Sequence, residues 1–294
     1  MAKGTFWSAV AAAVALALLA STPARADEAA SDYADCGDAD PKFVQAARMN
    51  AELLDTLAWS PMGMPETGWE VYGPLTQREI GTGCGYGTPV FAKALAALQA
   101  KHQLEPDGVF GPDTFEVLKG LWQERRPFVM ARVRGECPTA PATFIMTNLP
   151  KGEDTFGRED RRLRGDALRA YRRMVAAARG DGVMLSDPKA LTIFSGYRQP
   201  DADGERCQAE GNCDGKRRAA CSPHGTGFAV DLNLGYAPGY RIDSTDPRNR
   251  LHQSRTEAYR WMVRNADRFG FVNYVFEPWH WEWVGEPARA SAGS

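Results

Sequence analysis

Ser222-Pro-His224-Gly-Thr-Gly227-Phe-Ala229-Val-Asp231 places a histidine on a glycine-rich turn and an aspartate inside an apolar run. In an extended segment alternate residues face opposite sides. Over 228–234 that puts Phe228, Val230, Leu232 and Leu234 towards a core, with Ala229, Asp231 and Asn233 on the other face. A lone carboxylate in the middle of such a strand is costly without a partner, and a cation is the natural one. Gly225 and Gly227 give the turn freedom to bring His224 round, and Ala229 leaves room beside Asp231.

A second stretch, Glu277-Pro-Trp-His280-Trp-Glu282, obeys the same logic. On a strand His280 and Glu282 point one way, and Trp279, Trp281 and Trp283 the other. Pro278 cannot donate to a ladder, so it marks a bend or a strand start, and that bend lets Glu277 turn towards His280. His224, Asp231 and His280 are therefore the expected ligands of one Zn2+ ion with a vacant fourth position. Glu277 is the expected general base, and Glu282 a support for a ligand. Two imidazoles and a carboxylate suit zinc without excluding other first-row ions. His102 and His252 read as ordinary packed or surface histidines.

The chain has 294 residues and a formal net charge of −2, with no basic excess that would argue for nucleic acid. Lys3, the apolar run from Phe6 to Ala20 and Ala24-Arg25-Ala26 read as a signal peptide over 1–26. The expectation is an exported protein, in the periplasm, cell wall or medium, with no stable membrane insertion after cleavage. Cys36, Cys84, Cys137, Cys207, Cys213 and Cys221 make an even count, which in an exported chain implies disulfides, with about fifteen connectivities open; bridges inside each half, such as Cys36 to Cys84, are the favoured expectation.

Asp40-Pro41, Thr88-Pro89 and Gly111-Pro112-Asp113 each open a helix. The segment from Trp59 to Gly87 reads as turns, and 127–160 as a connection. A helix is expected from Asp166 to Arg179, then a strand at Leu191 to Phe194 leading into Ser195-Gly-Tyr-Arg198. Ser254 and Glu257 have the spacing of a capping box for a further helix, ended by Gly270. Two strands, 271–276 and 280–284, close the chain.

Two resemblances follow from these residues. Leu98-Gln99, Leu104, Asp107-Gly108-Val-Phe110-Gly111-Pro112, Thr114, Leu118 and Gln123 resemble the small three-helix peptidoglycan-binding domain. There the glycines and Asp107 serve the turn rather than a ligand. Ser222, His224, Gly227, Ala229, Asp231, Glu277, Trp279, His280 and Glu282, with the Ser-Gly-Tyr-Arg loop, resemble the VanY-like D-alanyl-D-alanine carboxypeptidases. That resemblance implies zinc on the two histidines and Asp231, Glu277 as base, and Arg198 at the substrate near its scissile carbonyl. Tyr197, Ser222 and Trp279 are the expected pocket residues. Close relatives carry a glutamine a few residues beyond the arginine. Here Gln199 follows at once and a cysteine-bracketed insertion intervenes, which affects the pocket rather than the metal ligands.

The reading is an α+β chain. A small all-α three-helix domain (27–126) and a connection (127–160) precede a zinc peptidase domain with a small antiparallel sheet flanked by helices (161–288), then a short tail (289–294). The expected function is a zinc-dependent carboxypeptidase acting on the terminal D-Ala-D-Ala bond of peptidoglycan stem peptides. The rivals are an L,D-carboxypeptidase or endopeptidase with the same site, and a non-catalytic zinc-containing wall-binding protein.

Overall fold

A four-stranded antiparallel sheet in the order β5-β6-β8-β7 carries the second half of the chain. Its strands are β5 (Ile193–Ser195), β6 (Ala229–Leu232), β7 (Phe271–Tyr274) and β8 (Glu277–Trp283). This is a computed structural model, and it describes residues 1, 36–37, 40–134, 136, 141–199, 205, 208–209, 211 and 222–286. The apolar run of the expected signal peptide and Cys137, Cys207, Cys213 and Cys221 lie outside the described residues. No described helix is long and apolar enough to cross a membrane.

The helical half begins as its caps dictate. Asp40 accepts from the Lys42 amide ahead of a short 3-10 turn, which runs into α1 (Val44–Thr56). Thr88 caps α3 (Pro89–Lys101) through the Phe91 amide, and Pro112 sits at the first position of α4 (Pro112–Glu124). The expected bridge is present: Cys36 is bonded to Cys84, with Cα atoms 5.5 Å apart.

The segment expected as turns holds more structure. A two-residue hairpin, β1 (Ala58–Trp59) with β2 (Glu66–Thr67), precedes a 3-10 turn at Glu70–Tyr72 and the helix α2 (Gly73–Glu79). Gly and Pro at its start and only seven residues hide α2 from periodicity. It forms because it packs on α8 (Glu257–Asn265). The expected connection contains α5 (Pro127–Val133) and β3 (Met146–Asn148), which pairs with β4 (Arg162–Arg164) just beyond it. The helix α6 (Gly165–Gly180) follows with Leu168, Tyr171 and Met174 buried.

The expected capping pair is corrected by one helix. Ser254 ends α7 (Pro247–Ser254), and its hydroxyl donates to the Leu251 carbonyl. Thr256 caps α8 instead, accepting from the Tyr259 amide at 3.2 Å.

Residues Asp35–Ser294 form one compact unit, and one apolar cluster runs from Trp69, Phe91 and Phe115 to Tyr171, Trp279 and Trp281. Two buried ion pairs also join the halves. Arg250 on α7 meets Glu66 on β2 at 2.5 Å, and the Tyr72 hydroxyl donates to the same carboxylate at 3.0 Å. Arg126, just past α4, meets Glu282 on β8 at 2.5 Å.

Within the helical half, Gln99 holds the Asp107-Gly108 turn. Its amide donates to Asp107 Oδ1 (2.7 Å), Val109 O (3.1 Å) and Thr114 Oγ1 (3.0 Å), and its oxygen accepts from the Gly108 amide (2.8 Å). Asn50 adds a donor to Gly108 O and an acceptor for the Phe110 amide. The motif residues are used internally.

Candidate metal centre

His224 is brought in by a short turn. Ser222 accepts from the His224 amide at 3.3 Å, Pro223 opens a 3-10 turn over Pro223–Thr226, and Gly227 closes it at φ +75°. The backbone at position 227 favours glycine, and a side chain there would also displace the Met146 tip. The φ of Gly227 is left-handed, and a Cβ there would stand 2.5 Å from Met146 Cε.

The sheet then supplies register. Asp231 on β6 pairs directly with His280 on β8 and with Ser195 on β5. His280 and Glu282, two apart, share a face as expected, while Trp279 and Trp281 face the core. The whole of β6 is buried, so Ala229 also lies in the interior rather than on an open face.

The three expected ligands converge. Donor atoms of His224, Asp231 and His280 all lie within 4.8 Å of one another, and the three residues are 2 %, 6 % and 4 % exposed. His280 Nδ1 is 2.9 Å from Asp231 Oδ1 and 3.2 Å from His224 Nε2, and His224 Nε2 is 3.3 Å from Asp231 Oδ2.

The remaining ring nitrogens are taken. His224 Nδ1 donates to the Gly196 carbonyl at 2.7 Å, which leaves Nε2 with its lone pair. His280 Nε2 faces Glu282 Oε1 at 3.1 Å. Outer partners of this kind orient metal-binding imidazoles. Gly196 reaches His224 because β5 leads into a loop strapped to β4. The Tyr197 amide donates to the Arg162 carbonyl at 2.8 Å, and a Cβ on Gly196 would meet that oxygen at 2.7 Å.

Charge at the centre favours a cation. Burial would raise the Asp231 carboxyl, but His224 and His280 hold it far below the usual carboxylate range. Burial would lower His280, yet hydrogen bonds from its ring to Asp231 and Glu282 raise it to about 9. Burial and the Arg198 charge push His224 down. Glu282 is held at about 2 against its burial, by the Arg126 charge and by His280. Neutral imidazole, carboxylate and a second imidazole make a donor set that fits one zinc ion.

Glu277 begins β8 opposite Tyr274, where the ladder shifts register between Asn273 and Tyr274. This irregularity is the bend expected at Pro278. Asn273 clasps it from β7: its amide donates to His280 O at 2.9 Å, Pro278 O at 3.3 Å and Glu277 O at 3.4 Å. Burial pushes the Glu277 carboxyl up. His280 opposes that shift, Asp231 adds to it, and the arginines 126 and 198 pull it down.

Arg198 donates to Ser222 Oγ at 3.2 Å, so Ser222 ties the arginine to the His224 turn. Tyr197 is buried at part of its surface, under the Arg162 guanidinium at 5.5 Å. Trp279 packs in the core at 3 % exposure. Sequence reasoning did not reach Gly196 O, Asn273 or Arg126. The glycine lay in the quoted loop; the other two carried no local signal.

Residues 160–286 match the family profile described as D-alanyl-D-alanine carboxypeptidase, VanY. This segment, somewhat less than half of the chain, is similar to that carboxypeptidase family. YodJ of Bacillus subtilis (strain 168), a carboxypeptidase by assignment, is 27 % identical over 148 residues, which is 44 % of this chain and 49 % of YodJ. The chain thus spans about half the length of that curated relative.

Among solved structures, VanYB in complex with D-alanine-D-alanine is 24 % identical over 52 % of this chain and 83 % of its own, with a TM-score of 0.33. A VanY D,D-pentapeptidase variant in complex with Zn(II) is 23 % identical over 52 % and 85 %, with a TM-score of 0.31. The LdcB LD-carboxypeptidase is 23 % identical over 43 % and 61 %, with a TM-score of 0.32.

Proposed function

We propose that this chain is an exported zinc-dependent D,D-carboxypeptidase that hydrolyses the terminal D-Ala-D-Ala bond of peptidoglycan stem peptides. One observation carries the reading: two buried imidazoles and one buried carboxylate converge, and Glu277, on the strand that carries His280, has its proton affinity raised by burial. His224, Asp231 and His280 would hold the ion. Zinc at such a site acidifies water and polarises a carbonyl.

The chain's own groups do the rest. Glu277 accepts a proton from the attacking water and returns it to the leaving amine, a role that a raised pKa favours. Arg198, always cationic, steadies negative charge on the substrate, either at the developing oxyanion or at the terminal carboxylate. Ser222 fixes both Arg198 and the His224 turn, and so couples substrate binding to the ligand set. Tyr197 borders the approach from the same loop. The helical half, which resembles a wall-binding module, would keep the enzyme near its substrate and raise the effective concentration.

The test is digestion of purified muropeptides by parent and Glu277→Gln. The parent should release free alanine from pentapeptide stems and not from tetrapeptide stems. Alanine from tetrapeptides would indicate L,D-cleavage, and cut crosslinks an endopeptidase. Glu277→Gln should keep its zinc while turnover falls by about 100- to 10,000-fold. Unchanged turnover would remove Glu277 from the reaction, and a parent that binds zinc without hydrolysing any stem would leave only a binding protein.

A further inference from the structure

Arg126 stands outside the segment that matches the carboxypeptidase family, yet it is 5 % exposed and points into the metal centre. Its Nε and Nη2 both donate to Glu282 Oε1, at 3.1 and 2.5 Å. The same Oε1 faces His280 Nε2 at 3.1 Å. The guanidinium also lies 4.2 Å from the centre of the Tyr274 ring, which meets the His280 imidazole edge-on at 6.1 Å. Its last donor, Nη1, is held by Gln123 Oε1 at 2.6 Å on the final turn of α4.

We infer that Arg126 is a positioning residue of the metal centre: it fixes Glu282, and through Glu282 the ring of His280, so that the helical half completes the ligand set built by the sheet. The inference rests on the zinc-peptidase reading. Three physical points support it. Glu282 is 3 % exposed, and a carboxylate that buried is costly unless it is paired and hydrogen-bonded. A guanidinium giving two N–H bonds fixes orientation as well as charge. The carboxylate it fixes is the one that holds the far nitrogen of a ligand imidazole, and loss of such outer partners weakens metal binding by about 10- to 100-fold. Arg126 donates no hydrogen bond to a ligand atom or to Glu277 among those described, so its hydrogen-bonded route to the His280 ring runs through Glu282.

The experiment measures zinc dissociation constants by competition with a chromophoric chelator, on the full chain. The parent is compared with Arg126→Met, Glu282→Gln and the double variant, and each metal-free protein is checked for a cooperative thermal transition. Arg126→Met should weaken zinc about 10- to 100-fold. On the Glu282→Gln background the same change should matter less than about 2-fold, because its route is already cut. Equal weakening on both backgrounds, or affinity within 2-fold of the parent in a folded Arg126→Met, overturns the inference.

Should Arg126→Met fail to fold, Arg126→Lys keeps the charge but loses the fork. It should weaken zinc by roughly 3- to 10-fold, and an unchanged affinity again overturns the inference. Failure of the peptidase reading would look different: the parent itself would bind no zinc, or would bind it and hydrolyse no stem peptide.

Discussion

Replacing Asn273 by alanine should damage both stability and turnover. The Asn273 amide has two N–H bonds to share among three carbonyls, of which His280 O at 2.9 Å is the best placed. Its oxygen accepts from the buried Tyr259 hydroxyl at 3.3 Å. Truncation leaves a buried hydroxyl and a buried carbonyl each short of a partner, at about 1–3 kcal/mol apiece. The sum, roughly 2–6 kcal/mol, is a large share of the ~5–15 kcal/mol that holds an ordinary domain. For a chain of this size it corresponds to a fall of roughly 5–15 °C in Tm.

The second effect is local. The three carbonyls belong to the turn that presents Glu277 and His280, so kcat should fall while zinc remains bound. Thermal unfolding of the metal-free protein and steady-state hydrolysis of a pentapeptide stem read the two effects. Asn273→Asp, of the same shape, should cost at least as much near neutral pH, because a carboxylate faces carbonyl oxygens with nothing to donate. A Tm within about 2 °C of the parent with unchanged kcat, or an Asp variant more stable than the parent, would refute the clasp.

Acid should expose Asp154. Burial raises this carboxyl, but the Arg161 pair and the amides of Arg158 and Phe156 outweigh burial and hold it below its ordinary value. A depressed folded pKa contributes stability above the unfolded value, and that stability is lost as pH falls through the folded one. Denaturant melts from pH 7 downwards should therefore show Asp154→Asn less stable than the parent near neutrality, with the gap narrowing as pH falls below the ordinary aspartate value of about 4. Chelation should lower Tm by roughly 5–10 °C, since zinc at a hundred times its Kd adds about 2.7 kcal/mol. The fold should survive, because the three ligands bond to one another, and unfolding on chelation would contradict that. Gln99→Ala, which removes four bonds at the Asp107 turn, should cost roughly 2–4 kcal/mol in a urea melt while zinc affinity stays within about 2-fold.

The ligands were legible because each betrays itself locally. Asp231 interrupts an apolar strand, and His280 and Glu282 alternate with three tryptophans, so period two and the cost of burying polar groups locate them. Arg126 was not legible for the opposite reason. It sits in Glu-Arg-Arg-Pro, which reads as a solvated break, and its partner is 156 residues away. The helices α2 and α7 are seven and eight residues long and owe their existence to tertiary packing, which periodicity cannot see. The misplaced cap has a backbone cause. Ser254 and Glu257 have the right spacing, but Ser254 is still helical within α7, whereas Thr256 has the extended backbone that a cap requires, at φ −68° and ψ 149°.

The geometry also says why such a centre can stand ready before an ion arrives. Both nitrogens of His280 face carboxylates, Asp231 at 2.9 Å and Glu282 at 3.1 Å. Two acceptors require two donors, so the ring without a cation carries both protons, and its raised pKa agrees with this. One of those protons lies between His280 Nδ1 and Asp231, where the donor atoms converge. Exchanging it for a cation leaves Nε2–H on Glu282 and Glu282 on Arg126, so the ring need not turn. The Nδ1–H of His224 likewise stays on the Gly196 carbonyl in both states. The bonds that orient the two imidazoles, to Glu282 and to the Gly196 carbonyl, lie on their far sides, away from the exchange. The ordering cost is therefore met by folding, and the ion's binding energy is left for coordination.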